Sequence, residues 1–185
     1  MIAQTLRIAM LAMMAAPAMA QEIPHAEYRE TGSREDWVGI YSPDRGLEKP
    51  TSSCAIYSRP KSSAVFRDGA RVEVMRGELA AFVSWNGGDV SEEDGEISVM
   101  IGVPVVEGAD DSHVLTVDGE EQFDLIGVDD RLYVHPEDDA EAIAAIRSGV
   151  DMVVTARTRE QGVVKDSYSL LGVQDMTDLS QRECH

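Results

Sequence analysis

Positive charge is what this sequence most lacks. Its 16 lysines and arginines face 34 aspartates and glutamates, a formal net charge of −18, and lysine occurs only at positions 49, 61 and 165. Nucleic-acid binding needs a basic footprint for the phosphates, and anionic membrane surfaces recruit clusters of Lys and Arg. Neither partner fits this chain. Catalytic signatures are missing as well: there is no G-x-S-x-G, and no S-x-x-K stands beside the companion motifs it requires. The four histidines, His25, His113, His135 and His185, are scattered without the spacing of a zinc site. No catalytic, cofactor-binding or metal-ligating residue is therefore nominated, and no cofactor is expected. The acidic stretch Asp89 to Glu96 is rich in oxygens but departs from the order of an EF-hand loop. It reads as a solvated loop in which Glu92, Glu93 and Asp94 form a candidate partner-binding triad.

Long apolar runs are also absent outside the first residues. In residues 1–20, Arg7 precedes an apolar run from Ile8 to Met14, and Ala18 and Ala20 stand before Gln21. This is the layout of a secretory signal with cleavage between Ala20 and Gln21. The run is too short for a membrane span of about 20 apolar residues, so no stable span is expected after signal removal. Loss of Arg7 with the signal makes the mature chain one charge more negative still. Cysteine is limited to Cys54 and Cys184, and two cysteines in an exported chain most simply form one disulfide. A nucleophilic role is the weaker reading, because Cys184 is penultimate and Cys54 has no histidine nearby in sequence.

What the chain does have is alternation. Residues 21–35 are polar and aperiodic and read as a flexible lead-in, and the domain is expected over 36–185. Trp37, Ile40 and Tyr41 suggest a first strand; Ser53 to Ser58 is the next, with Cys54 and Ile56 facing one way and Ala55 and Tyr57 the other. Turns are expected at Arg59 to Ser63 and at Arg67 to Gly69, followed by alternation through Val72 and Val74 and an apolar strand from Leu79 to Trp85. Ile97, Val99, Ile101 and Val103 alternate in turn. Asp118-Gly119 is the strongest hairpin signal in the chain, joining strands at Val114 to Val117 and Gln122 to Ile126. Arg131 to Val134 is a short strand. A helix near 137–147 follows, begun by Pro136 and three acids and ended by Arg147 and a left-handed Gly149, with Ile143 and Ile146 as its buried anchors.

The chain then returns to period two. Val150, Met152, Val154 and Ala156 share a face, and after a turn at Gln161-Gly162 so do Val164, Tyr168 and Leu170. Asp166 is the polar exception on that face and needs either an edge position or a partner. Val173, Met176 and Leu179 suggest a short C-terminal helical segment. About nine strands with one clear helix and no βαβ alternation predict an all-β chain, an antiparallel sandwich or flattened barrel. Trp37 and Trp85 lie in strand-like runs and read as core.

Linked local patterns resemble the invasion-associated locus B (IalB) family of exported alphaproteobacterial proteins. They are Asp36-Trp37 opening the domain, Ser53-Cys54 starting a strand, Arg67-Asp68-Gly69, and Arg76-Gly77 before the Phe82 to Ser84 strand. To these are added the Pro136 to Ala140 helix start, Asp166 to Gly172, and the terminal cysteine. The resemblance implies an immunoglobulin-like β-sandwich in the periplasm or at the outer surface, with an interaction role in envelope function or host-cell attachment and no catalytic residues to carry over. This chain has Tyr41 where some relatives place a cysteine and lacks a further pair before the helix, which leaves only Cys54 and Cys184 to bridge. The expected partner is an unidentified protein or envelope component. Other classes, an enzyme on envelope polymers or a structural, stress-protective protein, part from this reading on whether folding gathers carboxylates or a nucleophile and base in a cleft.

Overall fold

Strict alternation of buried and exposed side chains builds most of the strands. The computed structural model describes residues 29–42, 53–86, 95–160 and 162–183. In chain order the strands are β1 (Arg29–Arg34), β2 (Trp37–Ser42), β3 (Ser53–Ser58), β4 (Ser62–Arg67), β5 (Ala70–Val72), β6 (Ala80–Asn86) and β7 (Gly95–Met100). They continue with β8 (Gly108–Val117), β9 (Glu121–Val128), β10 (Arg131–Val134), β11 (Asp151–Arg157) and β12 (Val163–Ser169). Helix α1 (Asp139–Ser148) precedes β11, and α2 (Val173–Glu183) follows β12. The protein is all-β, as expected, with both helices near their anticipated positions.

Every neighbouring pair of strands is antiparallel, in the order β1-β2-β3-β6-β7-β10-β9-β8-β11-β12-β4-β5. The sheet turns over on itself into a sandwich. Trp37 of β2 donates its indole N–H to the Ser169 carbonyl of β12 across the interior (2.8 Å). One cluster of buried side chains joins Trp37, Ile56 and Trp85 from the first half to Leu115, Met152 and Val164 from the second. Such a core excludes water on both inner faces, each fully buried aliphatic side chain contributing about 1.5–3 kcal/mol.

The helices close the sandwich. Ile143 and Ile146 of α1 are 1% exposed, as their spacing predicts, and α1 lies on β7. Val173 and Met176 of α2 are buried and Leu179 half-buried, covering β1, β2 and β3. Close approach depends on Gly39, since a Cβ there would stand 2.6 Å from Met176 Cε. The Asp118-Gly119 hairpin forms as expected, both residues taking positive φ (51° and 75°).

Several details differ from the sequence reading. The lead-in contains β1, because a polar segment can serve as an edge strand paired on one side only. β4 was not anticipated and overlaps both expected turns, at Ser62 and Ser63 and at Arg67; its single well-buried residue, Val65, gives too little period to detect. The alternation expected through Val74 stops at Val72; Val74 is 37% exposed and Met75 97%. Helix α1 runs 139–148 in place of 137–147, Pro136 to Asp138 forming a turn before it. Gly149 is not left-handed (φ −80°, ψ 174°). A Cβ there would lie 2.6 Å from Val117 and 2.9 Å from Leu170, so close packing is what asks for glycine. Val150 is 56% exposed and precedes β11, its N–H taken by Asp118 Oδ1 (2.9 Å).

Candidate interaction surface

The best-buried charged pair inside the sandwich is held by the fold itself. Arg76 leaves an otherwise exposed segment between β5 and β6 and buries its side chain to 6% exposure, meeting Asp166 of β12 at 0%. Its two terminal nitrogens donate to both carboxylate oxygens (2.7 and 2.5 Å), and further bonds reach Ser63 Oγ (2.5 Å) and the Ile101 carbonyl (2.8 and 2.6 Å). This is the fork geometry that makes arginine–carboxylate pairs strong. It supplies the partner that Asp166 requires on an apolar strand face. Tyr168 lies beside it, 1% exposed, its hydroxyl without a partner among the described residues. Burial first, and the Asp166 charge second, push its pKa up, so the phenol stays protonated.

His113 is also structural. It is fully buried, with Nε2 2.7 Å from the Val106 carbonyl and Nδ1 accepting the Arg157 N–H at 3.3 Å. The ring is thus a spacer between backbone groups. Asp139 at the start of α1 is 8% exposed and accepts the Ile97 N–H (3.1 Å). Burial raises its pKa more than that single hydrogen bond lowers it, with Glu96 and Asp138 adding to the rise. Two exposed aspartates shift the other way. Asp118 is lowered by the N–H groups of Asp151 and Val150, and Asp36 by Ser169 and then by Lys61 at 3.0 Å. Among the described residues, no three His, Cys, Asp or Glu side chains stand together as a metal site would require.

The outward face of β2, β3, β6 and β7 is different in kind. Cross-strand register aligns Tyr57 with Phe82, and their rings stack with centroids 5.8 Å apart. Around them Ile40, Leu79 and Met100 line an open groove of about 610 Å³, with Arg59 and Glu78 on its rim. One wall is the segment Gly77 to Ala80, fixed by the buried Arg76 and by the Gly77 N–H bonded to the Gly102 carbonyl (2.8 Å). Aromatic side chains on a sheet's solvent face offer a large apolar contact area at little cost in side-chain entropy.

Of the residues singled out in the sequence, Cys54 lies 1% exposed in β3 and is not a free thiol. Cys184 lies outside the described residues, as do the cleavage positions Ala20 and Gln21, the triad Glu92, Glu93 and Asp94, and His25 and His185. Trp37 and Trp85 are core, as expected. The groove and the Arg76 anchor were not legible from local pattern; the outward placement of Tyr57 opposite Ile56 was the only signal. No family model, curated protein or solved structure matches this chain. No helix among the described residues is long and apolar enough to cross a membrane.

Proposed function

We propose that this chain is an exported, non-catalytic interaction protein of the IalB kind, working in the periplasm or at the outer surface after cleavage between Ala20 and Gln21. The observation that carries this reading is the stacked Tyr57–Phe82 pair in an open groove of mixed lining. In support of it, two buried ionisable groups are engaged in holding the sandwich together: Asp166 by Arg76 and His113 by backbone on both ring nitrogens. The occupant is an apolar segment of a partner protein flanked by basic residues. Its apolar side chains match the Tyr57–Phe82 pair, and its basic flanks match Glu78 and the protein's large acidic excess.

A photo-crosslinker at Leu79 in the exported protein identifies the partner, which is then purified. Tyr57→Asp should weaken its binding at least tenfold without lowering the melting temperature appreciably. Rising salt should weaken it too, because exposed charges are screened beyond about 8 Å. Neutralising Glu92, Glu93 and Asp94 together should lower affinity further. Unchanged binding by Tyr57→Asp would place the contact elsewhere, and turnover of an envelope polymer by the mature protein would replace this reading with an enzyme. Export predicts a bridge between Cys54 and Cys184; α2 packs against β3 and ends at Glu183, one residue short of Cys184. Non-reducing peptide mapping should recover the two cysteines in one linked species, whereas two alkylated free thiols would refute the bridge.

A further inference from the structure

The second half of the sheet carries an outer face of opposite character. Register places Arg71 of β5, Phe66 of β4, Val163 of β12 and Arg157 of β11 in one row across four strands. Lys165 is in the next row on the same side, paired with Ala64 and Thr155. The intervening residues Val65, Val164 and Ala156 point into the core, so this row faces outward, with Arg71, Arg157 and Lys165 exposed and Phe66 and Val163 half-buried. Two open cavities meet at Val163. One, of about 270 Å³, is bounded by Phe66, Asp68 and Lys165. The other, of about 360 Å³, is bounded by Arg157, Thr158 and Arg159.

In so acidic a protein, the neighbouring cations show what neutralisation looks like. Arg67 pairs with Glu160 at 3.6 Å, and Arg159 with Glu107 and, at 4.0 Å, Asp129. Arg71, Arg157 and Lys165 have no carboxylate in ion-pair range among the described residues. Among the described residues, Arg71 donates to the Ser63 carbonyl, at 3.2 Å. Three cations with no described carboxylate in ion-pair range, set around one aromatic, fit an anionic ligand with an apolar centre.

We propose that this face binds an extended acidic peptide segment in which two carboxylates flank an apolar side chain at alternate positions, Glu-x-Φ-x-Glu. Neighbouring strands lie about 4.8 Å apart, so the backbones of Arg71 and Arg157 stand about 14 Å apart across the row. An extended peptide rises about 3.3 Å per residue and points residues i, i+2 and i+4 the same way. Its two carboxylates are then about 13 Å apart, matching the arginines, with the apolar side chain between them over Phe66 and Val163. Guanidinium forks suit carboxylates, and Lys165 adds charge beside the centre. A peptide is favoured over an anionic bilayer because a broad charged surface meets the field of the whole protein, whereas a short segment meets only what lies within a Debye length of about 8 Å. It is favoured over an anionic glycan because Phe66 and Val163 offer nothing to hydroxyl groups.

The test uses a fluorescein-labelled peptide with glutamates two residues on either side of a phenylalanine, titrated with the mature protein by anisotropy. Binding is expected to fall at least tenfold in Arg157→Glu/Lys165→Glu, and equally when the peptide's glutamates become glutamines. The Tyr57→Asp variant should bind the peptide as wild type does, which separates this face from the aromatic groove. Arg157→Gln/Lys165→Gln, which removes charge without reversing it, should lose a smaller share. Wild-type affinity in the folded double glutamate variant, or no saturable binding by the wild type, overturns the proposal. So does tighter binding of a heparin oligosaccharide or of phosphatidylglycerol vesicles than of the peptide.

Discussion

Asp166 and Asp139 are both carboxylates in the interior of the same sandwich, and they are treated in opposite ways. Asp166 is wholly buried and receives a two-pronged guanidinium from Arg76. Asp139 is almost as buried but receives one backbone N–H and sits near two like charges, so its pKa rises. The two interior acids therefore differ in their partners, a paired guanidinium for Asp166 and a single N–H for Asp139, whose pKa is raised chiefly by burial. One carboxylate cross-links strands, while the other is a weak point that acid relieves.

The largest effect is expected from making a third interior acid with no partner at all. Ile143→Asp in α1 places a carboxylate where 1% of the side chain is exposed, and the loss should reach about 4 kcal/mol or more in urea unfolding. A wild-type denaturation midpoint would mean α1 is not docked on β7. Next comes Arg76→Ala, which strands Asp166. Removing one partner of a buried pair costs about 3–5 kcal/mol, whereas replacing both with apolar residues is often neutral. Arg76→Met with Asp166→Leu should accordingly recover most of the loss, and failure to do so would assign the pair's value to the fixed position of the segment before β6.

The ability to foresee this contrast from sequence was uneven for a physical reason. Asp166 stood out because it interrupts the apolar face of Val164, Tyr168 and Leu170, so its need for a partner was visible. The partner was not, because Arg76 lies in an aperiodic polar run and reaches Asp166 only after β4 and β12 pair. Cys54 and Ile56, the α1 anchors and the Asp118-Gly119 hairpin were legible, since each depends on neighbours a few residues away. The groove at Tyr57 and Phe82 and the cations at Arg71, Arg157 and Lys165 depend on register between distant strands, which no local period encodes.

Smaller effects follow the titration of single groups. Because the folded pKa of Asp139 is raised, its favourable contribution is complete below the unfolded value and is lost as pH rises through the folded value. Asp139→Asn should flatten that decline, seen as a difference in urea midpoint between variant and wild type that changes just above the ordinary aspartate range. Asp118 behaves in the reverse sense: its folded pKa is lowered, so its contribution is present above the unfolded value and lost as pH falls through the folded one. Asp118→Ala should remove this acid-side loss. The change should be the smallest of the four, because the side chain is exposed and screened. Slopes of the same sign for the two aspartates would break the comparison.

The position of β4 in the sheet has a consequence for time. It pairs with β5 on one side and with β12 on the other, Val65 lying opposite Val164. An early segment thus waits for the last strand in the chain before its second ladder can form, and the Arg76 clasp waits with it. Loop closure over so much chain precedes any reward from those contacts, and topologies of this kind fold slowly. Until β12 arrives, the early hairpin stands with one flank unpaired, able to join a strand from another chain. Crowding during synthesis or refolding is therefore the circumstance in which this molecule is most open to misassembly.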